Sequence, residues 1–330
     1  MSRLQATEVV YFGKLPARGD FVRNGDAHGL TQRLDEWLSQ GIERLARDPR
    51  WKETYDQAAH ASFAFLGVRS RAIVAGHLLA SSDASGRRFP FVAVGQLEVA
   101  APLAFMQRAP LALAPLWGQL TQATEAAHQA SDVVPSLNRL GQLRPEVDID
   151  PQAHEAGFQD FLELQTVGSL QALLGAADPM VDLRRTLLGL GLLLQPVPAS
   201  GVERLDKGLR LPLPADAQQQ ALVAALWLDL AARFLIRGDF EVALFLPQPG
   251  SGRPPSLAIG FSGDAPALLH ALLDPLVAGE QFIDLHAPEW VDDSADHHDY
   301  AVRKLGSYLQ QPQLSLAQAR STFNEAFLGE

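Results

Sequence analysis

The sequence predicts an α/β protein built on a largely antiparallel sheet. Residues 63–68, 72–79 and 89–99 are rich in β-branched and aromatic side chains, and only short polar stretches separate them. Strands with such short connections must be antiparallel neighbours, because a parallel pair needs a crossover of about a dozen residues or more. Residues 30–47 repeat apolar side chains every three or four positions, which is typical of an amphipathic helix lying on a sheet.

The other elements of the first third follow from residue type. Residues 9–12 are β-branched or aromatic and are expected to form the first strand. The helix over 30–47 places Trp37 on its apolar face, so we expect this side chain in the core rather than in a ligand site. His77 lies within an apolar strand, and we expect it to be a buried, hydrogen-bonded residue.

A change of composition follows residue 130. A helix predicted over 102–130 is expected to be interrupted near its start by Pro110 and Pro115. Residues 131–151 mix prolines, a glycine and acidic side chains, as linkers do. We therefore predict one region over 1–130 and a second over 131–330, which either forms a separate domain or, as we prefer, packs on the same core.

The second region is predicted to be helical apart from a β-hairpin and a short last strand. The hairpin segments 240–246 and 256–261 carry apolar residues on both faces, so other elements must cover them. The remaining predictions are helices over 154–175, 179–194, 215–236 and 264–277 and a strand near 281–285.

Composition excludes several classes of function. The chain has no cysteine, which rules out disulfides, thiol catalysis and cysteine-ligated metals. The first residues lack the apolar stretch of a secretory signal, and the longest apolar run, 187–194, is far shorter than the ~20 residues that cross a bilayer. We therefore expect a cytoplasmic protein with no membrane insertion.

The net charge of −11 is unevenly distributed. Residues 1–100 hold 13 Lys and Arg against 11 Asp and Glu, or +2, so residues 101–330 carry −13. This acidic part argues against binding to nucleic acid or to anionic membranes. A protein partner with a basic face would fit it, although solubility alone also explains the charge.

The segment 11–21 (YFGKLPARGDF) concentrates turn-forming and charged residues between aromatic ones. Its glycines permit sharp turns and its proline fixes φ, so a rigid loop is expected. Such a loop would hold Lys14, Arg18 and Asp20 in fixed directions. The alternative is that Arg18 and Asp20 only pair with each other or with neighbours and shape the loop.

A second polar segment, 81–88 (SSDASGRR), connects two of the predicted strands. Asp83, Arg87 and Arg88 are expected at the same edge of the sheet as the first loop, where they would complete a charged cluster. The alternative interpretation is an ordinary solvated hairpin loop.

Other motifs give no convincing catalytic site. Lys14 follows a glycine but lacks the hydroxyl residue and the glycine spacing of a phosphate loop. The carboxylates and imidazoles of 292–299 are donors that zinc, manganese or iron accept, but the run is local and lacks His-x-x-x-His spacing. A solvated acidic turn is the preferred interpretation, and we expect no metal and no cofactor.

Four motifs in order resemble the TagF/ImpM family of bacterial type VI secretion. The segment 11–21 matches the family's opening pattern, aromatic-Gly-Lys-Leu-Pro-x-Arg-Gly-Asp-Phe, and the resemblance covers about residues 8–95. The later matches are Trp37 and Leu38, then Trp51 and Tyr55, then the segment 81–90 with its Ser-Ser-Asp and Gly-Arg-Arg-Phe-Pro.

The resemblance implies both a fold and a function. The fold would be a three-layer α/β/α sandwich with a mostly antiparallel or mixed sheet, here with a helical insertion in the C-terminal half. The function would be that of a non-catalytic cytoplasmic regulator, which represses type VI secretion after translation by binding the forkhead-associated scaffold protein Fha. The loops 13–20 and 83–90 would supply the charged contacts, namely Lys14, Arg18, Asp20, Asp83, Arg87 and Arg88.

Two further expectations concern catalysis. Some relatives of this family are joined to a metal-dependent protein phosphatase domain, whose aspartate-glycine motif this sequence lacks, so a phosphatase or kinase pathway would act through separate chains. The alternative function is a phosphate- or nucleotide-handling enzyme. In that case Arg18, Arg87 and Arg88 would grip an anion, while Asp20 or Asp83 would serve as base.

Overall fold

The computed structural model describes residues 3–24, 28–200, 205–248, 253–294 and 300–329. The strands are β1 (Leu4–Ala6), β2 (Val9–Gly13), β3 (Val22–Arg23), β4 (Ala61–Gly67), β5 (Ala72–Leu79), β6 (Phe91–Glu98), β7 (Glu146–Asp148), β8 (Gly208–Pro212), β9 (Glu241–Pro247), β10 (Ser256–Gly260) and β11 (Phe282–Asp284). The helices are α1 (His28–Leu45), α2 (Trp51–Asp56), α3 (Pro102–Gln129), α4 (Val134–Gln142), α5 (Glu155–Leu164), α6 (Val167–Ala177), α7 (Leu183–Leu194), α8 (Val197–Ser200), α9 (Ala217–Leu235), α10 (Pro266–Leu273), α11 (Pro275–Gln281), α12 (Trp290–Ser294), α13 (Tyr300–Tyr308) and α14 (Leu316–Leu328).

Within these ranges, one sheet of nine strands runs through the molecule. Its order is β11-β8-β10-β9-β4-β5-β6-β2-β3, and β1 pairs with β7 in a separate ribbon. Every neighbouring pair of the large sheet is antiparallel except β11 with β8, which is parallel. The predicted, mostly antiparallel sheet is therefore confirmed.

Helices cover both faces of this sheet. Alternate residues of a strand point to opposite faces, and β2 shows the result. Val10 packs in a cluster with Leu38 of α1 and Leu269 of α10. Its neighbour Tyr11 belongs to the other cluster, which contains Leu113 of α3 and much of α9. The predicted three-layer α/β/α sandwich is confirmed.

The centre of the sheet joins strands from both halves of the chain. β4 pairs with β9 in a register that places Phe63 opposite Phe245. Trp37 of α1 covers this junction, with its ring centroid 5.3 Å from that of Phe63 and 5.1 Å from that of Phe65. Trp37 is 3% exposed, so its predicted place in the core is confirmed.

His77 of β5 is buried, as its apolar strand predicted. Its Nδ1 lies 2.9 Å from the hydroxyl of Thr124 on α3, and its side chain has no exposed surface. Burial lowers the pKa of His77 to about 3, so the imidazole is neutral at physiological pH.

The predicted interruption of α3 at Pro110 and Pro115 is wrong, since the helix continues through both residues. An internal proline costs about 3 kcal/mol because it removes a hydrogen bond and crowds the preceding turn. Leu113 and Leu116 are fully buried against the sheet and α9, and each buried leucine contributes about 2 kcal/mol. Burial along the whole helix therefore outweighs the two prolines.

The predicted linker over 131–151 is also wrong, because the segment forms α4 and β7. Pro135 lies in the first turn of α4, where a helix tolerates a missing N–H. Leu140 and Val147 are buried, and β7 pairs with β1. The proline and acidic composition reflects helix and strand ends rather than a free connection.

Candidate functional site

The two predicted loops lie side by side, and Gly13 is one place where their backbones come close together. Gly13 has a φ of +134°, which other residues rarely adopt. A Cβ at this position would lie 2.0 Å from the carbonyl oxygen of Pro90. The Lys14 amide donates to that same oxygen at 3.4 Å. Only glycine allows the first loop to lie this close to the end of the second.

Asp83 is the centre of the interaction between the loops. Its side chain is fully buried, and its two carboxylate oxygens accept five hydrogen bonds. Oδ2 accepts from Lys14 Nζ at 2.9 Å and from Arg87 Nε at 2.7 Å. Oδ1 accepts from the Ser85 amide and hydroxyl and from the Arg87 amide. The segment 83–87 therefore forms a tight turn around its own aspartate.

This environment keeps Asp83 ionised. Burial alone would raise the pKa of the Asp83 carboxyl, but the hydrogen bonds from Ser85, Lys14 and the Arg87 amide hold it well below its usual range. Lys14 is itself only 8% exposed at its side chain, so each charge is compensated by the other inside the protein. Lys14 and Asp83 thus act as a structural ion pair between the loops.

Backbone contacts extend this connection. Arg87 reaches across and donates from its guanidinium to the Gly19 carbonyl at 2.7 Å. The Ala84 amide donates to the Arg18 carbonyl, also at 2.7 Å. The conformation of the first loop is therefore fixed by the second, which explains why both segments carry demanding residue types.

Arg88 is directed toward α2 instead. Its Nε donates to Asp56 at 2.7 Å, and this pair holds the pKa of Asp56 below its ordinary value. The Tyr55 hydroxyl donates to the Ser81 carbonyl and accepts from the Ser81 amide, which fixes the start of the second loop on the same helix. Asp56 was not among the sequence-predicted residues, and an unremarkable acidic position on a short helix gives no signal of this role.

Arg18 and Asp20 are placed differently from the other four predicted residues. Both are exposed, and across the described ranges neither takes part in an ion pair, so they do not pair with each other. The Asp20 carboxylate only accepts from the amide of Phe21 at 2.8 Å. The structure therefore divides the predicted cluster into four side chains held in ion pairs, of which Lys14 and Asp83 are buried, and two exposed charges outside any ion pair of the described residues.

An exposed aromatic residue lies beside these charges. Phe21 is 43% exposed, yet its ring stacks on Phe12 at 5.3 Å and meets Phe89 edge-on at 4.9 Å. The Lys14 ammonium lies 4.9 Å from the centre of the same ring. Phe21 is thus presented to solvent from a supported position.

A groove of about 580 Å³ opens next to Phe21, between the first loop, β3 and α4. We call it the Phe21 groove. Sequence reasoning missed the α4 residues of its walls, because their proximity to the first loop depends on how α4 packs against β2. It also missed Arg23, which directly follows the first loop in β3. The Phe21 groove is lined by Tyr11, Arg18, Gly19, Asp20, Phe21, Val22, Arg23, Val134, Leu137 and Asn138.

A larger cavity of about 800 Å³ lies beside α1, away from both loops. Its wall includes Trp37, Phe65 and Glu241, and Arg33 and Asp264 form an ion pair of 3.7 Å there. None of the six sequence-predicted charged residues lines it.

The acidic run near the C-terminus is only partly described. Residues 295–299 lie outside the described residues, as do 249–252 of the predicted hairpin loop. Asp292, on α12, pairs with Arg184 at 3.1 Å and with Arg185. Over the described ranges, no group of three or more histidine and acidic side chains is arranged to hold a metal ion. The same residues contain no helix that is long and apolar enough to span a membrane.

Comparison with known proteins identifies the first part of the chain. Residues 10–143 match the family model described as the TagF N-terminal domain, type VI secretion system-associated, which confirms the resemblance seen in the motifs. The crystal structure of PA0076 from Pseudomonas aeruginosa PAO1 is similar at 16% identity, with 81% of this chain and 94% of that chain covered and a TM-score of 0.46. A comparison with curated proteins gives no match.

Proposed function

We propose that this type VI secretion-associated protein, which carries a TagF N-terminal domain over residues 10–143, is a non-catalytic cytoplasmic regulator. It represses secretion after translation by binding the forkhead-associated scaffold protein Fha. The binding surface is formed by the loops 13–20 and 83–90 together.

One observation carries this proposal. The two motif segments, about 70 positions apart in the sequence, meet through Gly13 and Pro90 and are connected by the Lys14–Asp83 ion pair. Rigid surfaces of this kind suit protein recognition, because few side chains must be ordered on binding. Arg18 and Asp20 project from this frame and are the first contacts to test, while Arg87 remains 62% exposed and adds a third.

The same geometry weakens the enzymatic alternative. An anion grip would need the guanidinium groups of Arg18, Arg87 and Arg88, but two of these bind Asp83 and Asp56. Asp83 is a poor general base, since both of its oxygens are occupied and its pKa lies well below the neutral range. The arrangement supports an interaction surface over a catalytic one.

The test is capture of the cognate Fha protein by the full chain. We expect the unmodified chain to retain Fha on a column and to reduce type VI secretion when overproduced in cells. The double variant Arg18→Ala and Asp20→Ala should reduce both effects without unfolding the protein, because neither side chain holds the loops together. Arg69→Ala, in the exposed turn between β4 and β5, is the matched control.

The control is chosen for its position in the sheet. Gly13 and Leu79 both lie opposite Phe91 in the ladders, whereas Ala72 lies opposite Glu98 at the other end of β6. Arg69 therefore lies at the opposite end of the strands from the two loops. Full capture of Fha by the double variant would show that Arg18 and Asp20 are not part of the binding surface. Absence of capture by the unmodified chain would reject Fha as the partner.

A further inference from the structure

We propose that the Phe21 groove binds an acidic segment of the partner protein that carries one apolar anchor residue. This inference rests on the proposed function, since it names the chemistry that the loop surface recognises. It is argued from the apolar content, the charge and the rigidity of the groove.

The apolar content is concentrated rather than scattered. Single exposed hydrophobic residues are normal on a protein surface. Here Phe21 and Val134, with 43% and 44% of their surfaces exposed, line the same groove although 113 positions separate them. The buried Leu137 lies in the same wall. Together they offer a binding place for one aliphatic or aromatic side chain.

The charge of the groove is opposite to that of the whole chain. Arg18 and Arg23 are both exposed, and in the part of the chain that the structure describes neither forms an ion pair. Asp20 is the carboxylate facing them, which leaves the groove with a surplus of one positive charge in a chain of −11. Tyr11 adds a neutral hydroxyl, whose pKa burial raises further above its ordinary value despite the opposing effect of Arg18. Charge complementarity therefore selects an acidic occupant.

The groove is also formed in advance of binding. The Arg18 and Gly19 carbonyls are held by Ala84 and Arg87. The Phe21 ring is held by stacking on Phe12 and Phe89. A ligand that enters such a groove has little protein ordering to oppose it. Nucleic acid is a poorer fit, because two arginines on a strongly acidic protein release few counterions.

The experiment uses the full chain and short fluorescein-labelled peptides, followed by fluorescence anisotropy at low and high salt. One peptide consists of Asp and Glu around a central Leu, a second replaces this Leu by Gly, and a third replaces the acidic residues by Lys. We expect the first to bind best and to weaken at high salt, since attraction between exposed charges is screened.

Three variants locate the site. Arg18→Glu and Phe21→Ser should each weaken binding of the anchored acidic peptide by about tenfold or more, which corresponds to about 1.4 kcal/mol. Arg69→Glu introduces the same charge change at the end of the strands away from the loops and should leave the peptide affinity unchanged. Thermal denaturation of each variant confirms that the fold is retained, and Arg23→Glu provides a second test should Phe21→Ser fail to fold.

The outcomes separate this inference from the proposed function. The inference is overturned by absence of peptide binding, by equal binding of all variants, by preference for the basic peptide, or by a single-stranded oligonucleotide binding the same groove more tightly. Capture of Fha by the Arg18→Glu and Phe21→Ser variants would show that Fha binds elsewhere on the loops. Peptide binding without capture of Fha would instead support the groove as a binding site and reject Fha as its ligand.

Discussion

Lys14 and Asp83 are 69 positions apart in the sequence, yet their side chains form a buried ion pair with 2.9 Å between Nζ and Oδ2. Each charge offsets the desolvation cost of the other, because an isolated buried charge is strongly disfavoured. Two charged motifs that are distant in the chain are thereby joined into one rigid surface. Four structural consequences of this fold can be tested with purified protein.

The first prediction concerns Asp83. Asp83→Asn keeps the shape of the side chain but leaves Lys14 without its counter-charge, so we expect the melting temperature to fall by roughly 5 °C or more. Asp20→Asn is the matched control, since this exposed carboxylate accepts only one local hydrogen bond and should change little. Circular dichroism during heating measures both. Equal melting temperatures would mean that the ion pair contributes nothing to stability.

The second prediction separates two constraints on glycine. Gly13→Ala should be the most destabilising of three substitutions, because the new Cβ would lie 2.0 Å from the Pro90 carbonyl oxygen. The alanine would also have to keep the positive φ of Gly13. Gly86→Ala has a φ of +79° but open space around it, so it should cost about 1 kcal/mol. Gly19→Ala meets neither constraint and should be nearly neutral. Urea unfolding that gives any other order would contradict the packing of the two loops.

The third prediction concerns acid sensitivity. The pKa of His77 is about 3 in the folded protein and about 6.5 in the unfolded chain. Between these values the unfolded state binds a proton that the folded state excludes, so stability falls as the pH falls from about 6.5 to about 3. The expected loss between pH 7.5 and pH 5 is about 2 kcal/mol from this residue.

His77→Gln removes the titrating group and keeps a hydrogen-bonding side chain near Thr124. Urea unfolding at several pH values should show a shallower pH dependence for this variant than for the unmodified chain. Some dependence will remain, because burial also lowers the pKa of His60 and of His128. Identical pH profiles would show that the pKa of His77 is the same in the folded and the unfolded protein.

The fourth prediction concerns a buried network between α3, α5 and α9. Arg108 of α3 donates to Asp229 of α9 at 2.9 Å and to Glu155 of α5 at 2.9 Å, and its guanidinium lies 3.9 Å from the Phe158 ring centroid. Arg108→Met removes this cation from both carboxylates, while Asp229 keeps its 3.4 Å contact with Arg320, so we expect a loss of about 3 kcal/mol in the free energy of unfolding.

The control for Arg108 is an exposed pair. Arg71 and Glu98 lie 3.1 Å apart with most of their surfaces in solvent, so Arg71→Met should cost about 1 kcal/mol or less. Chemical unfolding of both variants measures the difference. A similar small cost at Arg108 would show that water or repacking compensates the lost cation.

The sequence predicted local structure best where one physical signal dominated. Apolar spacing located α1 and α9, and runs of β-branched and aromatic residues located β4, β5, β6 and the β9–β10 hairpin. It failed at the predicted interruption of α3, where burial against distant partners outweighed Pro110 and Pro115. It failed also at 131–151, where prolines and acidic residues belong to the ends of α4 and β7 rather than to a linker. The strand β8 and the helices after residue 290 went unpredicted, since their short apolar segments are stabilised by contacts across the fold.

The candidate site divides along the same line. Sequence by itself determined that the two segments form tight loops, because glycine and proline at such density are typical of a backbone that turns sharply. Only the tertiary structure decided their roles. Asp83 and Lys14 were expected at the surface as contacts, but their separation of 69 positions in the chain hid the buried pairing that joins the loops. Arg18 forms no ion pair with any of the described residues, and Phe21 keeps 43% of its surface exposed, because both project from the loop on the side away from the sheet's packed layers.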